Sequence, residues 1–432
     1  MITIDWALVL CLSALLPACG EPSAGAIGQL LQQFVDGGAI AAGQSPESKS
    51  TTSNAIENVI GHQVEHYPGM ALQGAGKGIV LYEAGPNVMD SHHRKYFRLR
   101  RFAAGAVGEI IDIARPLVST GVVKLAAGPT GFALLVELDQ QLPKQLRYWR
   151  FDDAGMKVCE SPSGSAFLRA AIGFRDPQLV LVATTDDNAP NPVFRMISLG
   201  SGCTPTTIGP DIQTALHRPG ILHLVPGGSS MILIATRQDN SAKSKSWQMT
   251  AVDNSGVGLA QSPVVQRAYV AGKGDSHFLP CAAQVADRQW LVAATDVINS
   301  RRYLLRRHLD FNGQFDVLPD LDIGPIAYNS SGDWCFADRS GRVCVNSDAE
   351  FGAAALSFGS PQSTFVCFAL DGKQLGTLSQ LKKPHTYVGG VAVSGDHWGW
   401  WLMPNVFTPE TGHLVVGPAS GGPGADALVD LK

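Results

Sequence analysis

The stretch ILHLVPGGSSMILIAT, residues 221–236, decides the fold, because it consists of two short apolar runs joined by a Gly- and Ser-rich turn. Short apolar runs bounded by turn residues are typical of β-strands, and two of them across a tight turn form a hairpin. The same layout returns in VVKLAAGPTGFALLVEL at 122–138 and in PCAAQVADRQWLVAAT at 280–295. The hairpin is therefore a repeating unit of this chain.

The second strand of this hairpin recurs seven times, at intervals of 46 to 59 residues. Its copies are IVLYEA at 79–84, ALLVEL at 133–138, LVLVAT at 179–184, MILIAT at 231–236, WLVAAT at 290–295, RVCV at 342–345 and WGWWLM at 398–403. Around these copies a third strand ends in turn residues, as in WQMTAVDNSG at 247–256, and a short fourth strand follows. Four antiparallel strands per repeat of about 50 residues are typical of β-propeller blades.

The sequence thus predicts an all-β fold, a seven-bladed β-propeller of four-stranded antiparallel blades over residues 56–432. A β-sandwich or a β-helix is the weaker alternative, since a β-helix has shorter coils and a sandwich would not repeat the same turn chemistry in each unit. Composition agrees with a chain of many strands and tight turns, with 47 Gly and 26 Pro among 432 residues. A net charge of -4 gives no electrostatic footprint for nucleic acid, so we expect no such partner.

The N-terminal segment, residues 1–19, has the layout of an export signal. An apolar run from Trp6 to Leu16 precedes small residues, and eleven residues are too few to cross a bilayer. LPAC at 16–19 resembles the lipobox of bacterial lipoproteins. The resemblance implies lipidation of Cys19, so that the protein meets a membrane only through a lipid anchor.

Two destinations remain open for the exported protein. Gly20 directly after the cysteine fits an outer-membrane lipoprotein in a Gram-negative cell. Plain signal cleavage between Gly20 and Ala24 would instead release the protein to the periplasm or the cell surface. Residues 20–55 are rich in Gly, Ala, Ser and Gln and predict a flexible tether in either case.

Six cysteines remain once Cys11 leaves with the signal and Cys19 takes the lipid, and an oxidising compartment permits up to three bridges among them. The best local candidate is CFADRSGRVC at 335–344. A tight turn from Asp338 to Gly341 would bring Cys335 opposite Cys344 on paired strands, so we expect these two to form a disulfide. No Cys-x-x-Cys occurs, which argues against thiolate zinc or thioredoxin chemistry.

HQVEH at 62–66 has the His-x-x-Glu-His spacing of a zinc peptidase, in which two imidazoles on one helix face hold the metal and Glu65 activates a water. Pro68 and Gly69 follow at once, just before the first predicted strand, and leave little room for that helix. We therefore reject the peptidase interpretation and look for another role for His66.

Four histidines share one position in the repeat. Three of them precede the second strand by 13 residues and one by 14, and they are His66, His277, His385 and His217. The other repeats carry Thr120, Ala166 and Asn329 there. In a propeller the loop that enters the innermost strand opens on the rim of the central channel, together with the loops between second and third strands. We therefore expect the four imidazoles to converge on one rim of the channel.

Other polar residues are predicted on the same face. They are His62, His92, His93, His413, Asp139, Asp186, Asp239, Asp296 and Asp348. Imidazole with carboxylate suits a divalent metal such as Mn²⁺, Zn²⁺ or Fe²⁺, which makes the four aligned histidines candidate metal ligands. Two alternatives stay open: acid–base chemistry or neutralisation of a substrate carboxylate without metal, and a structural role in capping the innermost strands.

A resemblance to a known family can be stated on DSHFLPCAAQVADRQWLVAATD, residues 275–296. Its start, with Asp275, His277 and Pro280, resembles the Asp-x-His-x-x-Pro motif of seven-bladed polysaccharide lyases of the ulvan-lyase type, with echoes at His66 and His217. The His-lined channel is similar to that of oligogalacturonate lyases. The resemblance implies channel-face His, Tyr and Arg side chains that neutralise a uronic carboxylate and move the C5 proton, in some members with a metal.

These observations predict an exported, lipid-anchored propeller whose His-rich channel face binds an acidic polysaccharide and cleaves it by β-elimination. Proximity to the aligned histidines completes the predicted catalytic set, which is His66, His217, His277, His385, Tyr67, Arg218 and Tyr387. The rival hypothesis is a propeller lipoprotein without chemistry that serves as a scaffold for envelope proteins.

Overall fold

The structure is a computed structural model, and all its described residues belong to one compact unit, Glu57–Lys432. The described residues are 69–74, 77–84, 94–103, 106–118, 122–138, 145–161, 167, 169–175, 178–184, 192–239, 242–268, 280–298, 301–325, 335–346, 362–381, 386–394, 397–404, 411–418 and 426–430. The predicted signal at 1–19, with Cys19, and the predicted tether at 20–55 lie outside them. In the part described, no helix is long and apolar enough to span a bilayer.

The described strands form seven antiparallel sheets, each built from strands that are consecutive in the chain. The first sheet holds β1 (Gly69–Gly74), β2 (Lys77–Ala84), β3 (Arg94–Ala103) and β4 (Ala106–Val118), and the second holds β5 (Val122–Gly128), β6 (Gly131–Leu138), β7 (Gln145–Phe151) and β8 (Lys157–Glu160). The third holds β9 (Arg169–Arg175), β10 (Gln178–Thr184), β11 (Val193–Leu199) and β12 (Pro205–Gln213). The fourth holds β13 (Ile221–Pro226), β14 (Ser230–Asp239), β15 (Ser244–Asp253), β16 (Gly258–Gln261) and β17 (Val265–Ala268).

The remaining three sheets follow the same plan. The fifth holds β18 (Cys281–Ala286), β19 (Gln289–Ile298), β20 (Arg301–Asp310) and β21 (Phe315–Pro325), and the sixth holds β22 (Cys335–Ala337), β23 (Val343–Asn346), β24 (Gln362–Phe368) and β25 (Gln374–Leu381). The seventh holds β26 (Thr386–Ser394), β27 (His397–Pro404), β28 (Thr411–Pro418) and β29 (Asp426–Asp430). The predicted all-β propeller of four-stranded antiparallel blades is confirmed.

The fourth sheet is the one with an additional strand. Both β16 and β17 pair with β15, at opposite ends of it, with Thr250 opposite Gln261 and Trp247 opposite Val265. Pro263 lies between the two short strands and has no backbone N–H to offer the ladder. They therefore amount to one outer strand that is interrupted at the proline.

The hairpin at 221–236 forms as β13 and β14, paired from Ile221 opposite Thr236 to Pro226 opposite Met231. Leu222 packs towards the third sheet, whereas Ile234 packs towards the fifth. The hairpin is therefore covered on both faces, which explains why its apolar residues run almost without interruption.

The hydrophobic core lies between the sheets. Trp247 of the fourth sheet and Trp290 of the fifth share one cluster, and the rings of Phe336 and Trp398 stack across the sixth and seventh sheets with centroids 6.2 Å apart. The first strands also contact one another: β1 with β5, β5 with β9, β9 with β13, β18 with β22, β22 with β26, and β26 with β1. The first strands thus lie together at the centre of the sheets and the last strands lie at the periphery.

The turn between third and fourth strands repeats one design. The Asp253 carboxylate accepts hydrogen bonds from the backbone N–H groups of Ser255 (2.8 Å) and Val257 (2.9 Å), and Gly256 has a φ of 86°. Burial raises the pKa of Asp253, but the hydrogen bonds from Ser255, Val257 and Gly256 outweigh it and hold the pKa below its ordinary value. Comparable carboxylate-to-backbone bonds occur at Asp152, Asp310 and Asp371.

The predicted disulfide between Cys335 and Cys344 is wrong. The turn itself forms, with the Gly341 N–H donating to the Asp338 carbonyl at 3.0 Å. However, the register places Cys335 opposite Val345, so Cys344 lies one residue away from the paired position. Neighbouring residues of a strand point to opposite faces of the sheet, and the two sulfur atoms are therefore kept apart.

The structure contains three other bridges, which are Cys159–Cys203, Cys281–Cys335 and Cys344–Cys367. The first joins the second sheet to the third, and the second joins the starts of β18 and β22 in the fifth and sixth sheets. The third joins directly opposite residues of β23 and β24. Two of the three bridges therefore connect neighbouring sheets.

Candidate functional site

The structure tests only part of the predicted site. Among the seven predicted catalytic residues, it describes the side chains of His217 and Arg218, and it places Tyr387 in β26. His66, Tyr67, His277 and His385 lie outside the described residues, as do His62, His92, His93, Asp139, Asp186 and Asp348. The convergence of four imidazoles on one rim stays a prediction. His413, expected on a loop, lies within β28.

His217 lies in the loop that joins β12 to β13, and this loop is fixed by a buried glutamine. Gln248 of β15 is 3% exposed, and its Oε1 accepts hydrogen bonds from the Thr214 hydroxyl at 2.6 Å and from the Ala215 and Leu216 N–H groups at 2.9 and 3.2 Å. The Gln248 amide in turn donates to the Ser262 carbonyl at 3.0 Å. One side chain therefore holds the backbone directly before His217.

Arg237 holds the other side of the same loop. It lies in β14, and its guanidinium donates to the His217 carbonyl at 3.0 Å and to the Asp239 carboxylate at 2.5 Å. Asp239 also accepts a hydrogen bond from the Ala242 N–H at 2.9 Å. The arginine thus ties the His217 loop to the loop between β14 and β15, both of which open on the predicted rim.

Arg218 is presented to solvent by an unusual backbone conformation. Its φ is 49°, in the left-handed region that residues other than glycine seldom adopt, and its side chain is exposed. Such a conformation costs on the order of 1 kcal/mol and persists only where neighbouring contacts impose it. The contacts from Gln248 and Arg237 to the loop supply that constraint, and His217 beside it is partly exposed.

The charge balance of this region favours anions. Between Thr214 and Ser244 the chain has three cationic residues, Arg218, Arg237 and Lys243, and one acidic residue, Asp239. Asp239 is engaged by Arg237, whereas Arg218 and Lys243 are exposed. A carboxylate or another anion would therefore meet a positive local potential here.

A second polar group lies deeper, on the central strands. Lys124 of β5 extends to the third sheet, where its ammonium donates to the Ala170 carbonyl of β9 at 2.6 Å. His223 holds the corresponding third position of β13, opposite Ile234 of β14. The two side chains interrupt the apolar runs VVKLAAG and ILHLVP, and neither was among the predicted site residues.

His223 is held in its neutral form. Burial, and after it the charge of Lys124, lowers the pKa of the imidazole to about 3. The residue is partly exposed, but its Nε2 atom is buried and finds no hydrogen-bond partner among the described residues. An orphaned buried nitrogen of this kind costs about 1–3 kcal/mol, which a water or a ligand would relieve.

The metal hypothesis gains no support from the described residues. No three His, Cys, Asp or Glu side chains of that part of the chain lie close enough together to hold a metal ion. Asp239 ends β14 and Asp296, 3% exposed, lies in β19. Because three of the four aligned histidines lie outside the described residues, the predicted Mn²⁺, Zn²⁺ or Fe²⁺ site stays a prediction.

No protein-family model matches this chain, and no curated protein matches it. Among solved structures, it is similar to a prolyl endopeptidase, with 14% identity over 92% of this chain and 53% of that one and a TM-score of 0.44. It is also similar to a lignostilbene dioxygenase of Pseudomonas brassicacearum (12% identity, 84% and 91% covered, TM-score 0.46) and to a puromycin-hydrolyzing peptidase of Mycobacterium tuberculosis (10%, 85% and 52%, TM-score 0.45). The chain spans about half the length of the two peptidases. These values assign neither a family nor an activity.

Proposed function

We propose that the rim around His217 and Arg218 binds an acidic glycan, with a polyuronide as the ligand class. The observation that carries this proposal is the fixed loop at 214–218, which Gln248 and Arg237 hold so that Arg218 points into solvent. A guanidinium recognises a carboxylate through two parallel hydrogen bonds, and a loop ordered before binding loses little entropy when the ligand arrives.

We also propose that the seven sheets are seven blades of one closed ring, which would gather the aligned histidines of the first, fourth, fifth and seventh blades around one opening. Contacts of β1 with β26 and β27, and of β4 with β29, support closure between the first and last sheets. The resemblance at 275–296 to polysaccharide lyases supports the same arrangement.

Cleavage by β-elimination is the further step of this proposal. A cationic side chain such as Arg218 would neutralise the uronate carboxylate, and an imidazole or Tyr67 or Tyr387 would remove the C5 proton. The bond from C4 to the glycosidic oxygen then breaks, a C4–C5 double bond forms, and the leaving oxygen takes up a proton. A divalent metal held by the aligned histidines would stabilise the same carboxylate.

Export with a lipid anchor at Cys19 completes the proposal. The three disulfides support an oxidising compartment, because cytosolic proteins seldom keep such bonds. Replacing Cys19→Ser should move the protein from the membrane fraction to the soluble exported fraction. A Cys11→Ser variant is the matched control, and equal membrane retention of both variants would contradict lipidation.

The glycan proposal is tested by calorimetry on the full chain. We expect polygalacturonate to bind and its fully methyl-esterified form not to bind. Arg218→Ala should weaken binding roughly tenfold or more, as the loss of a charged hydrogen bond does. Arg195→Ala is the control, because Arg195 is an exposed arginine paired with Asp211 at 2.9 Å in the outer strands. Equal binding of both polymers, or an equal effect of both variants, would refute the proposal.

A parallel assay distinguishes the hypothesis of a polysaccharide lyase from that of a scaffold without chemistry. The ultraviolet absorbance of unsaturated uronides is followed with polygalacturonate in the presence of Mn²⁺, Zn²⁺, Fe²⁺ or a chelator. Elimination predicts a growing signal that His217→Gln diminishes. Binding without any new double bond would leave a glycan-binding protein, and the absence of both would favour the scaffold for envelope proteins.

A further inference from the structure

A left-handed backbone conformation occurs at four described residues that are not glycine. They are Cys203 (φ 58°), Arg218 (φ 49°), Lys243 (φ 48°) and Arg288 (φ 67°). Side chains with a Cβ atom make this conformation unfavourable, and residues that adopt it are concentrated at functional sites. Glycine or asparagine would adopt it more readily, so each of the four side chains calls for a physical role.

Two of the four residues use their side chains within the protein. Cys203 forms its disulfide with Cys159, and the Arg288 guanidinium lies 5.7 Å from the centroid of the Phe311 ring. The other two, Arg218 and Lys243, are exposed and form no hydrogen bond or ion pair with the rest of the described chain. Both are cationic, and both are therefore available to an anionic ligand.

Arg218 and Lys243 lie at the same end of the fourth sheet. Arg218 belongs to the loop that enters the first strand, β13, and Lys243 belongs to the loop between the second and third strands, β14 and β15. In an antiparallel sheet these two loops open at one end, whereas the turn between first and second strands lies at the other end. Arg288 lies in a turn of that second kind, between β18 and β19.

Hydrogen bonds link the two loops. The carbonyl directly before Arg218 accepts a hydrogen bond from Arg237 at 3.0 Å, and the N–H group directly before Lys243 donates to Asp239 at 2.9 Å. Arg237 and Asp239 are themselves paired at 2.5 Å. One continuous chain of contacts therefore runs from the backbone beside Arg218 to the backbone beside Lys243 and restrains the separation of the two loops.

We propose that Arg218 and Lys243 form a two-point site that binds two carboxylates of one oligouronide. The choice of a uronate rests on the proposed function, and the two-point site narrows its ligand to a chain of acidic sugars instead of a single sugar. A ligand that has bound one cation meets the other as an intramolecular partner, so the second contact multiplies the affinity. Arg237 and Asp239 are positioning residues, because they act by linking the two loops.

Oligomer length tests the two-point site on the full chain. Galacturonate and its di-, tri- and tetramer are titrated by calorimetry. We expect the affinity to rise more than about tenfold between the monomer and the tetramer, at the length that first reaches both cations. A smaller rise overturns the two-point site, because the larger number of carboxylates in a tetramer raises the affinity statistically by about fourfold.

A pair of asparagine variants identifies the second cation. Lys243→Asn removes the charge and places a residue there that adopts the left-handed conformation readily. It should weaken tetramer binding roughly tenfold or more and change galacturonate binding by no more than about twofold. Arg288→Asn is the matched control, since it makes the same backbone change at the opposite end of a sheet. Thermal unfolding verifies the fold of both, and equal tetramer affinity in the two variants overturns the proposal.

Asp239→Ala separates geometry from net charge. The change removes an acidic residue and makes the region more positive, but it also breaks the link between the loops. Attraction by charge alone predicts tighter binding of the tetramer, whereas a restrained pair of cations predicts weaker binding. Unchanged or tighter binding in Asp239→Ala therefore overturns the two-point site.

Failure of the two-point site is distinguishable from failure of the proposed function. Binding of polygalacturonate that depends on Arg218 and not on Lys243 would overturn the two-point site alone. Absence of polygalacturonate binding would refute the proposed function and the two-point site with it.

Discussion

At the residue scale, the sequence predicts the position of the loop around His217, but it does not predict the side chains that hold this loop in place. Spacing aligned His217 with three other histidines because a repeat returns equivalent positions to one face. The hydrogen bonds of Gln248 and Arg237 could not be predicted, since both residues lie on strands distant in sequence and look like ordinary solvent-facing residues. Lys124 and His223 could have been found in the sequence, because each is a basic residue inside an otherwise apolar first strand.

The neutral state of His223 predicts a pH dependence. Its pKa is lowered by burial and then by Lys124 to about 3, from a model-peptide value of 6.5. Between these values the unfolded chain binds the proton and the folded chain does not, so stability falls as the pH drops below about 6.5, by at most about 1.4 kcal/mol per pH unit. Denaturant unfolding at several pH values should show this slope reduced in His223→Gln. His308→Gln in β20 is the control, and parallel slopes for wild type and His223→Gln would contradict the assignment.

Gln248 accepts hydrogen bonds from the loop directly before His217, so we expect its replacement to lower both the stability of the protein and its affinity for polygalacturonate. Gln248→Ala leaves the Ala215 N–H and the Thr214 hydroxyl without their acceptor, which should lower the free energy of unfolding by about 1–3 kcal/mol. It should also release Arg218 from its left-handed backbone and weaken binding of polygalacturonate. Gln374→Ala, at an exposed position of β25, is the matched control for thermal unfolding and calorimetry. An unchanged affinity in Gln248→Ala would contradict the claim that the hydrogen bonds of Gln248 hold the loop in its binding conformation.

At the element scale, hairpins and turns could be predicted and exact pairing could not. The hairpin at 221–236 and the Asp-containing turns follow from local chemistry, which sequence displays directly. The prediction of a Cys335–Cys344 disulfide was wrong because a shift of one residue in register moves a side chain to the other face of the sheet. The spacing of the two cysteines does not reveal the register. The interruption between β16 and β17 was missed although Pro263 marks it.

We expect the Cys281–Cys335 bridge between two sheets to contribute more to the free energy of unfolding than the Cys344–Cys367 bridge within one sheet. Cys281 and Cys335 are 54 residues apart, whereas Cys344 and Cys367 are 23 apart. The loop-entropy relation gives a stabilisation of about 3.4 kcal/mol for the shorter loop and about 4.2 kcal/mol for the longer one, a difference of about 0.8 kcal/mol. We expect Cys281→Ala/Cys335→Ala to destabilise the protein more than Cys344→Ala/Cys367→Ala in denaturant unfolding. The reverse order would show that native packing, and not loop length, dominates.

At the scale of the whole molecule, the repeat predicted seven sheets because each unit buries its faces only against neighbours. Its ends are harder to predict, since nothing local marks the first and last units as partners. In the structure β1 contacts β26 and β27, so the last sheet covers the first.

Removal of the seventh sheet should therefore unfold more than that sheet. Deleting residues 386–432 removes Trp398, which is 1% exposed, from Phe336 and uncovers β1 at the other end. Each large apolar side chain uncovered costs roughly 1.5–3 kcal/mol, so cooperative thermal unfolding should be lost. Deleting only 426–432, which contains the peripheral β29, is the milder control. An unchanged melting transition in the longer deletion would contradict closure between the first and last sheets.

The two bridges between sheets have a mechanical consequence. Cys159–Cys203 links the second sheet covalently to the third, and Cys281–Cys335 links the fifth to the sixth. Two neighbouring sheets that separate transiently must then do so at a contact held by packing alone, such as the contact of β1 with β26. Reducing agents would cleave both bridges and remove this difference between the contacts.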